Sequence, residues 1–156
     1  MNGEKILKGH DLFATLNVDE IHQISTFSSV KEFKEHEVIF NYNQKSSHFY
    51  MLMDGAVYLQ FPTDPPEFSS TVTKVEKGEL FGISPLLKSE RYTLMAQCYK
   101  DTKALSIEAK PFLRLLHNNC PVGLHIINHI AHIYFTRYLH VIKTLQDVAG
   151  QITLKR

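Results

Sequence analysis

The chain has 156 residues, of which 44% are hydrophobic and 21% are charged, and its formal net charge is +1. This length and composition predict one globular domain, residues 1–156, with its own hydrophobic core. The near-zero charge argues against nucleic-acid binding by this chain alone, and the lack of any run of about 18 apolar residues argues against a membrane span.

The first part of the chain has sequence patterns that are typical of helices. Leu12, Phe13 and Leu16 bring apolar side chains together, and Asn17 precedes Glu20 by three residues. An asparagine followed at that spacing by a glutamate is typical of a capping box at a helix N-terminus. We therefore expect two short N-terminal helices.

From Val30 onward the pattern changes to that of an all-β region. Short runs rich in β-branched and aromatic residues are separated by turn signals about every ten positions, which favours a jelly roll or a similar barrel. Asp54-Gly55 is the strongest hairpin signal, and the proline-rich segment 62–66 predicts a hairpin loop, because proline cannot donate to a central ladder. The predicted strands are Val30–Phe33, Val38–Phe40, Phe49–Met53, Ala56–Phe61, Ser70–Val75, Thr93–Tyr99 and Ala104–Glu108.

After Glu108 the pattern becomes helical, first over Lys110–Leu116 and then in a long helix from about Pro121 to Val148. The N-terminal helices and the β-roll would occupy about residues 12–108, and the C-terminal helices about 110–150. The long helix carries an apolar stripe and further apolar residues off that stripe, more than a small roll can cover. We therefore expect a homodimer in which the helix of a second copy covers the rest. The stripe consists of Ile127, Ile130, Tyr134, Tyr138, Val141, Leu145 and Val148, and the second group consists of Leu124, Ile126, Ile133, Phe135 and Ile142.

The segment from Lys77 to Arg91 is punctuated by glycine and leads through a short apolar turn to an arginine. Gly82 permits close approach of the backbone to a ligand, and the amides that begin the Ser84–Leu87 turn would face an anion. Arg91 would complete the neutralisation of the ligand's charge. These features together predict a site for a small anionic ligand, such as one carrying a phosphate.

The order G-x-x-F-G-x-x-x-L-L, followed by this arginine, resembles the phosphate-binding cassette of the cyclic-nucleotide-binding domain family. Phe49–Gly55 and Asp101–Leu105 are similar to two other motifs of that family, and Asp147–Ile152 is similar to the hinge of Crp/Fnr transcription regulators. The resemblance covers roughly residues 12–151. The DNA-binding domain of those regulators has no counterpart here, so the chain is either a sensor-only relative or a fragment of a larger regulator.

This resemblance implies a mainly β fold with flanking helices: a double-stranded β-helix, or jelly-roll β-roll, with short N-terminal helices and a long C-terminal dimerisation helix. It also implies a regulatory, non-enzymatic, cytoplasmic sensor whose ligand is a cyclic nucleotide, cyclic AMP or cyclic GMP, or another small anion. The ligand-binding positions carried over from the family are Phe81, Gly82, Ile83, Ser84, Arg91, Tyr92 and Thr136.

Three residues depart from the family's pattern. Ile83 stands where cyclic-nucleotide-binding members have a glutamate that accepts from the ribose hydroxyl, and a buried hydroxyl left without a partner costs about 1–3 kcal/mol. Pro85 removes an amide from the turn, and Tyr92 replaces a small residue beside the phosphate. These departures favour an alternative in which the pocket is closed and the chain is a ligand-free interaction or dimerisation module.

Two of the carried-over residues also have plainer interpretations. Arg91 is equally well explained as a surface cation paired with Glu90 or Glu79. Thr136 falls where family members present a hydroxyl to the purine base, and a solvent-facing helical threonine would look the same.

A histidine face on the long helix supports a further alternative. His125, His129 and His132 recur at i, i+4 and i+7, a spacing that suits a haem- or gas-sensing regulator of the Crp/Fnr type. No carboxylate accompanies them, so no metal site is predicted, and no nucleophile with a histidine and a carboxylate indicates catalysis. Cys98 and Cys120 are too few for a disulfide framework, which is consistent with a reducing compartment.

Overall fold

Helical segments at both ends flank an antiparallel sheet in the computed structural model, which describes residues 3–62 and 70–153. The helices are α1 (Gly3–Lys8), α2 (Val18–Thr26), α3 (Ala109–Asn118) and α4 (Cys120–Thr153), and 3-10 helices span Asp11–Phe13 and Ser84–Leu87. The strands are β1 (Ser28–Phe33), β2 (Val38–Phe40), β3 (His48–Phe61), β4 (Ser70–Val75), β5 (Leu80–Phe81) and β6 (Met95–Glu108). The predicted fold class, mainly β with flanking helices, is confirmed.

The predicted capping box forms at the start of α2. The Asn17 side chain accepts from the backbone N–H of Glu20, and the Glu20 carboxylate accepts from the backbone N–H of Asn17, both at 2.9 Å. These two bonds satisfy donors that a helix N-terminus otherwise leaves unpaired. Leu12 and Phe13, in the preceding 3-10 helix, are buried.

Two long strands form the centre of the roll. Strand order in the sheet is β1-β6-β3-β4, with β2 also pairing with β6 and β5 with β3. The pairings between these strands are antiparallel, and Phe61 of β3 lies opposite Ser70 of β4. The proline-rich loop expected between these two strands lies outside the described residues beyond Pro62.

The hairpin expected at Asp54-Gly55 is wrong. The chain runs straight on through a single strand, β3, and irregularities in its register with β6 occur on both sides of Asp54. Gly55 has a φ of +105°, and a Cβ there would lie 2.6 Å from the Cα of Thr102 on the facing strand. Glycine therefore serves a bulge where two long strands bend together, and the two strands expected between Thr93 and Glu108 are likewise one.

The buried side chains form two hydrophobic clusters. One lies between the roll and the helices and includes Phe13, Phe49, Phe112 and Ile126. The other fills the inside of the roll and includes Phe40, Leu52, Val57, Phe81 and Tyr92. The segment Lys77–Arg91, which we call the phosphate loop, contributes side chains to both clusters, so its position is fixed from two sides.

Among the described residues of α4, the buried side chains lie in the first part of the helix. Ile126 and Ile130 are 0% and 1% exposed and belong to the cluster under the helices. Ile130 of the predicted stripe is therefore covered within the chain. The side chain of Val148 lies outside the described residues. No helix in the described chain combines the length and the hydropathy needed to cross a membrane.

Candidate functional site

The phosphate loop contains a glycine in the left-handed region. Gly82 follows β5 with a φ of +63°, and a Cβ there would lie 2.8 Å from Cε1 of Phe40. Ile83 and Ser84 come next and are buried, and the short 3-10 helix Ser84–Leu87 carries Pro85 in its first turn. Glycine is thus required both for the turn and for the aromatic ring packed against it.

Stacked aromatic rings fill the inside of the roll beside this glycine. The ring centroids of Phe40 and Tyr92 lie 3.9 Å apart with an interplanar angle of 17°, and Tyr50 and Phe81 are stacked at 5.2 Å. The Tyr92 hydroxyl donates to the carbonyl of His48 at 2.8 Å. Burial raises the pKa of both tyrosine hydroxyls, so they remain protonated at neutral pH. Phe81 and Tyr92 are therefore packing residues of the roll interior.

The arginine of the motif turns away from this interior. Arg91 is exposed, and its Nη1 donates to the backbone carbonyl of Asn43 at 2.7 Å. Its backbone forms an isolated bridge with Lys45. Within the described chain it makes no ion pair with Glu90 or Glu79, the surface partners considered from the sequence. Arg91 anchors the loop before β3 instead.

A cavity of about 260 Å³ lies between the phosphate loop and α4, and we call it the seam cavity. Its walls bring together three of the carried-over residues, Gly82, Ile83 and Ser84, whereas Phe81, Arg91, Tyr92 and Thr136 are not among its lining residues. The wall from α4 consists of Tyr134, Arg137, Tyr138 and Val141, and the roll adds Phe40, Leu59, Val72, Thr93 and Leu94. The cavity is thus largely apolar, with one cation.

Arg137 supplies that cation, and sequence reasoning missed it. Its Nη2 donates to the backbone carbonyl of Leu80 at 3.0 Å, just before Gly82. Burial lowers the pKa of its guanidinium, which nevertheless stays charged at physiological pH because the intrinsic value is so high. No carboxylate of the described chain forms an ion pair with it. The available signal was its spacing: Arg137 follows Tyr134 by three residues and precedes Val141 by four, which places all three on one side of α4.

The remaining candidates on α4 face elsewhere. Thr136 lines a separate, larger cavity together with His129 and His132. No group of three or more histidine, cysteine or carboxylate side chains in residues 3–62 and 70–153 has an arrangement that could hold a metal ion. The haem hypothesis stays a prediction.

Comparison with known families gives a match over more than half of the chain. The model of the family described as "Cyclic nucleotide-binding domain" matches residues 30–119. This span includes the roll and α3, and therefore all of the seam cavity except its wall from α4. No curated protein sequence gives a significant match.

Solved structures of similar proteins have the same architecture. A protein named as a cyclic nucleotide-binding protein from Geobacter metallireducens matches with a TM-score of 0.76 and 28% identity, over 88% of this chain and 99% of its own. The sensor domain of the transcriptional regulator DNR from Pseudomonas aeruginosa matches with a TM-score of 0.72 and 18% identity, over 83% of this chain and 91% of its own. The regulatory domain of Toxoplasma gondii PKA, solved with cAMP, matches with a TM-score of 0.69 and 19% identity, over 85% and 49%. At under 25% identity the last two structures show a common fold alone. The family match over residues 30–119 shows that this chain belongs to the cyclic nucleotide-binding domain family.

Proposed function

We propose that this chain is a regulatory sensor domain that binds a small anion with an apolar body in the seam cavity and transmits its occupancy through α4. The observation that carries the proposal is the position of Arg137 at the edge of a largely apolar cavity, where this half-buried cation forms no ion pair in the described chain and is affected by the nearby charge of Glu79. A guanidinium removed from water gains more from an anion than an exposed one does.

The walls of the cavity fit such a ligand. Tyr134 and Tyr138 supply aromatic surface from α4, and Ile83 supplies aliphatic surface from the phosphate loop. Pockets for small molecules are usually apolar, with a few polar groups that fix the orientation of the ligand. Arg137 is that group here, and its bond to the carbonyl of Leu80 already holds it in place.

Cyclic AMP and cyclic GMP are small anions with an apolar purine body, but the residues of the pocket favour only weak binding of either. Ile83 is 2% exposed and offers no acceptor to a sugar hydroxyl. Replacing it by a glutamate, as in Ile83→Glu, should raise the affinity for cyclic AMP by about tenfold, the value of one hydrogen bond to a charged group. Isothermal titration calorimetry measures this change.

The exposed side of α4 supports transmission to a second copy. Eight of the fourteen large hydrophobic side chains that are exposed in the described chain lie on this one helix. Two of them, Phe135 and Leu139, are 58% and 48% exposed and line none of the cavities. Because α4 contacts the seam cavity on one side and carries these residues on another, a shift of the helix on ligand binding would be felt by a partner helix.

The test uses 8-anilinonaphthalene-1-sulfonate, an aromatic monoanion, as a fluorescent probe of the seam cavity. We expect saturable binding that weakens at least about tenfold in Arg137→Met, since one charge-assisted contact is lost. Arg91→Met is the matched control, because Arg91 is exposed and lies away from the cavity. Binding that is absent, or lost equally in both variants, would overturn the proposal.

Displacement of the probe by cyclic AMP or cyclic GMP places these nucleotides in the ligand class. Failure of both to displace a probe that depends on Arg137 excludes the cyclic-nucleotide version and retains a sensor for another anion.

A second function, that of a ligand-free dimerisation module, is favoured by the aromatic stack. Phe40 and Tyr92 occupy the roll interior next to Gly82, where the resemblance would place a phosphate. A dimer whose dissociation constant is unchanged by every anion tested would support this function over the sensor.

A further inference from the structure

A second cavity, of about 780 Å³, lies on the other flank of α4, and we call it the histidine cavity. It is bounded by the N-terminal segment, the end of β4 with the turn that follows, and α4. Its fixed cations are Lys74, Lys77 and Arg137, and its carboxylates are Asp11 and Glu79. Its volume is within the range of about 300–1,000 Å³ that is typical of ligand pockets.

Part of this negative charge is already engaged. One carboxylate oxygen of Glu79 accepts from the backbone N–H of Glu76 at 2.9 Å. The Glu76 side chain pairs with Lys74, also at 2.9 Å, so this cation is already engaged as well. Lys77 and Arg137 form no ion pair in the described chain. Arg137 donates to the carbonyl of Leu80 and interacts with the charge of Glu79, so Lys77 is the cation that meets a ligand without giving up another contact.

Four histidines complete the walls: His10 from the N-terminal segment, and His129, His132 and His140 from α4. Burial lowers the pKa of His129, the neighbouring His10, His125 and His132 lower it further, and Asp11 raises it. Each proton taken up here therefore makes the cavity more cationic.

The geometry of His10 ties the cavity to the turn after β4. Its Nδ1 accepts from the backbone N–H of Leu12 at 3.1 Å, so Nε2 carries the proton and donates to the carbonyl of Gly78. Those two bonds hold the N-terminal segment against the turn that contains Lys77. These hydrogen bonds thus fix the position of one wall of the cavity.

We propose that the histidine cavity binds a small molecule with several phosphate groups, and that binding is coupled to proton uptake by its histidines on α4. Lysine and arginine are the usual partners of phosphate oxygens, and a protonated imidazole is a third kind of cation that can donate to them. Seven residues, or about 20° around the helix, separate His132 from Leu139, so this cavity borders the face of α4 that carries Phe135 and Leu139.

The test is calorimetric titration of the whole chain with sodium tripolyphosphate at about pH 6 and about pH 8, at matched ionic strength. We expect binding to be at least about tenfold tighter at the lower pH, because each protonated imidazole adds a charge-assisted contact. Titration in two buffers of different ionisation enthalpy should show net proton uptake on binding at pH values near 6.5.

Single variants locate the effect. His132→Gln should weaken binding about tenfold near pH 6 and leave it nearly unchanged near pH 8, whereas Lys77→Gln should weaken it at both. His117→Gln is the matched control, because His117 is an exposed histidine beside a different cationic groove, one that includes Lys110 and Arg114.

Equal affinity at both pH values, or an equal loss in the His117 control, would overturn the proposal in favour of general attraction to basic surface. His132 and Lys77 do not line the seam cavity, so these results are independent of the sensor test with Arg137→Met.

Discussion

The inside of the β-roll is tightly packed, whereas the surface of α4 leaves a cavity and large apolar side chains exposed. Inside the roll, Phe40 and Tyr92 stack at 3.9 Å and leave little room beside Gly82. Along α4, tyrosines and Arg137 border a cavity, and large apolar side chains remain exposed. The motif that resembles the family's phosphate site is therefore in the roll, whereas the cation without an ion pair and the exposed apolar side chains are on α4.

The largest expected effect tests how tightly the roll interior is packed. Phe40→Ala should lower the free energy of unfolding by about 3–5 kcal/mol, because a 3% exposed ring in a stack is replaced by a cavity. Tyr138→Ala is the counterpart on α4 and should cost about 1 kcal/mol or less, because Tyr138 is 59% exposed. Urea denaturation measures both. Equal losses would mean that the α4 surface is covered in solution.

A smaller effect tests what covers α4. Phe135→Asp combined with Leu139→Asp should convert a dimer to a monomer in light scattering, with the dissociation constant raised roughly a hundredfold or more, because buried unpaired charges are costly. Tyr42→Asp combined with Tyr99→Asp places the same charges on exposed aromatic residues of the roll and should leave the dimer intact. A dimer that survives the first pair would show that this face of α4 is not the interface.

The smallest expected effect is a change in the pH dependence of the free energy of unfolding. Because the pKa of His129 is lowered below its ordinary value of 6.5, the unfolded chain binds a proton more readily than the folded chain does. Stability from this group is complete above about pH 6.5 and falls as the pH drops toward the lowered value. Urea denaturation at a series of pH values should give a shallower acid loss in His129→Gln than in the unsubstituted chain. An unchanged slope would show that His129 is solvated.

Local chemistry made most of the fold predictable. The Asn17–Glu20 capping box and the strand at Val38–Phe40 depend on neighbours in sequence, and both are confirmed. The hairpin predicted at Asp54-Gly55 is wrong because a positive φ suits a bulge as well as a turn, and only the facing strand decides between them.

The site was less predictable for a related reason. Gly82 and Ile83 of the motif lie beside a cavity, but the direction of a long side chain depends on its tertiary neighbours. Arg91 reaches the carbonyl of Asn43, which is distant in sequence, and Arg137 reaches from α4 to the carbonyl of Leu80 in β5. The spacing along α4 indicates the side of the helix on which Arg137 lies, but neither contact itself can be predicted from the local pattern.

Arg137 lies in the wall of both cavities, so one side chain is common to two prospective ligands. One N–H group of its guanidinium already donates to the carbonyl of Leu80, and the planar group cannot face the seam cavity and the histidine cavity fully at the same time. An anion that draws the guanidinium to one side should therefore act as an antagonist of an anion on the other. Thermodynamic linkage requires that each ligand weaken the other by the same factor, so titrating either one in the presence of its rival would report the same coupling.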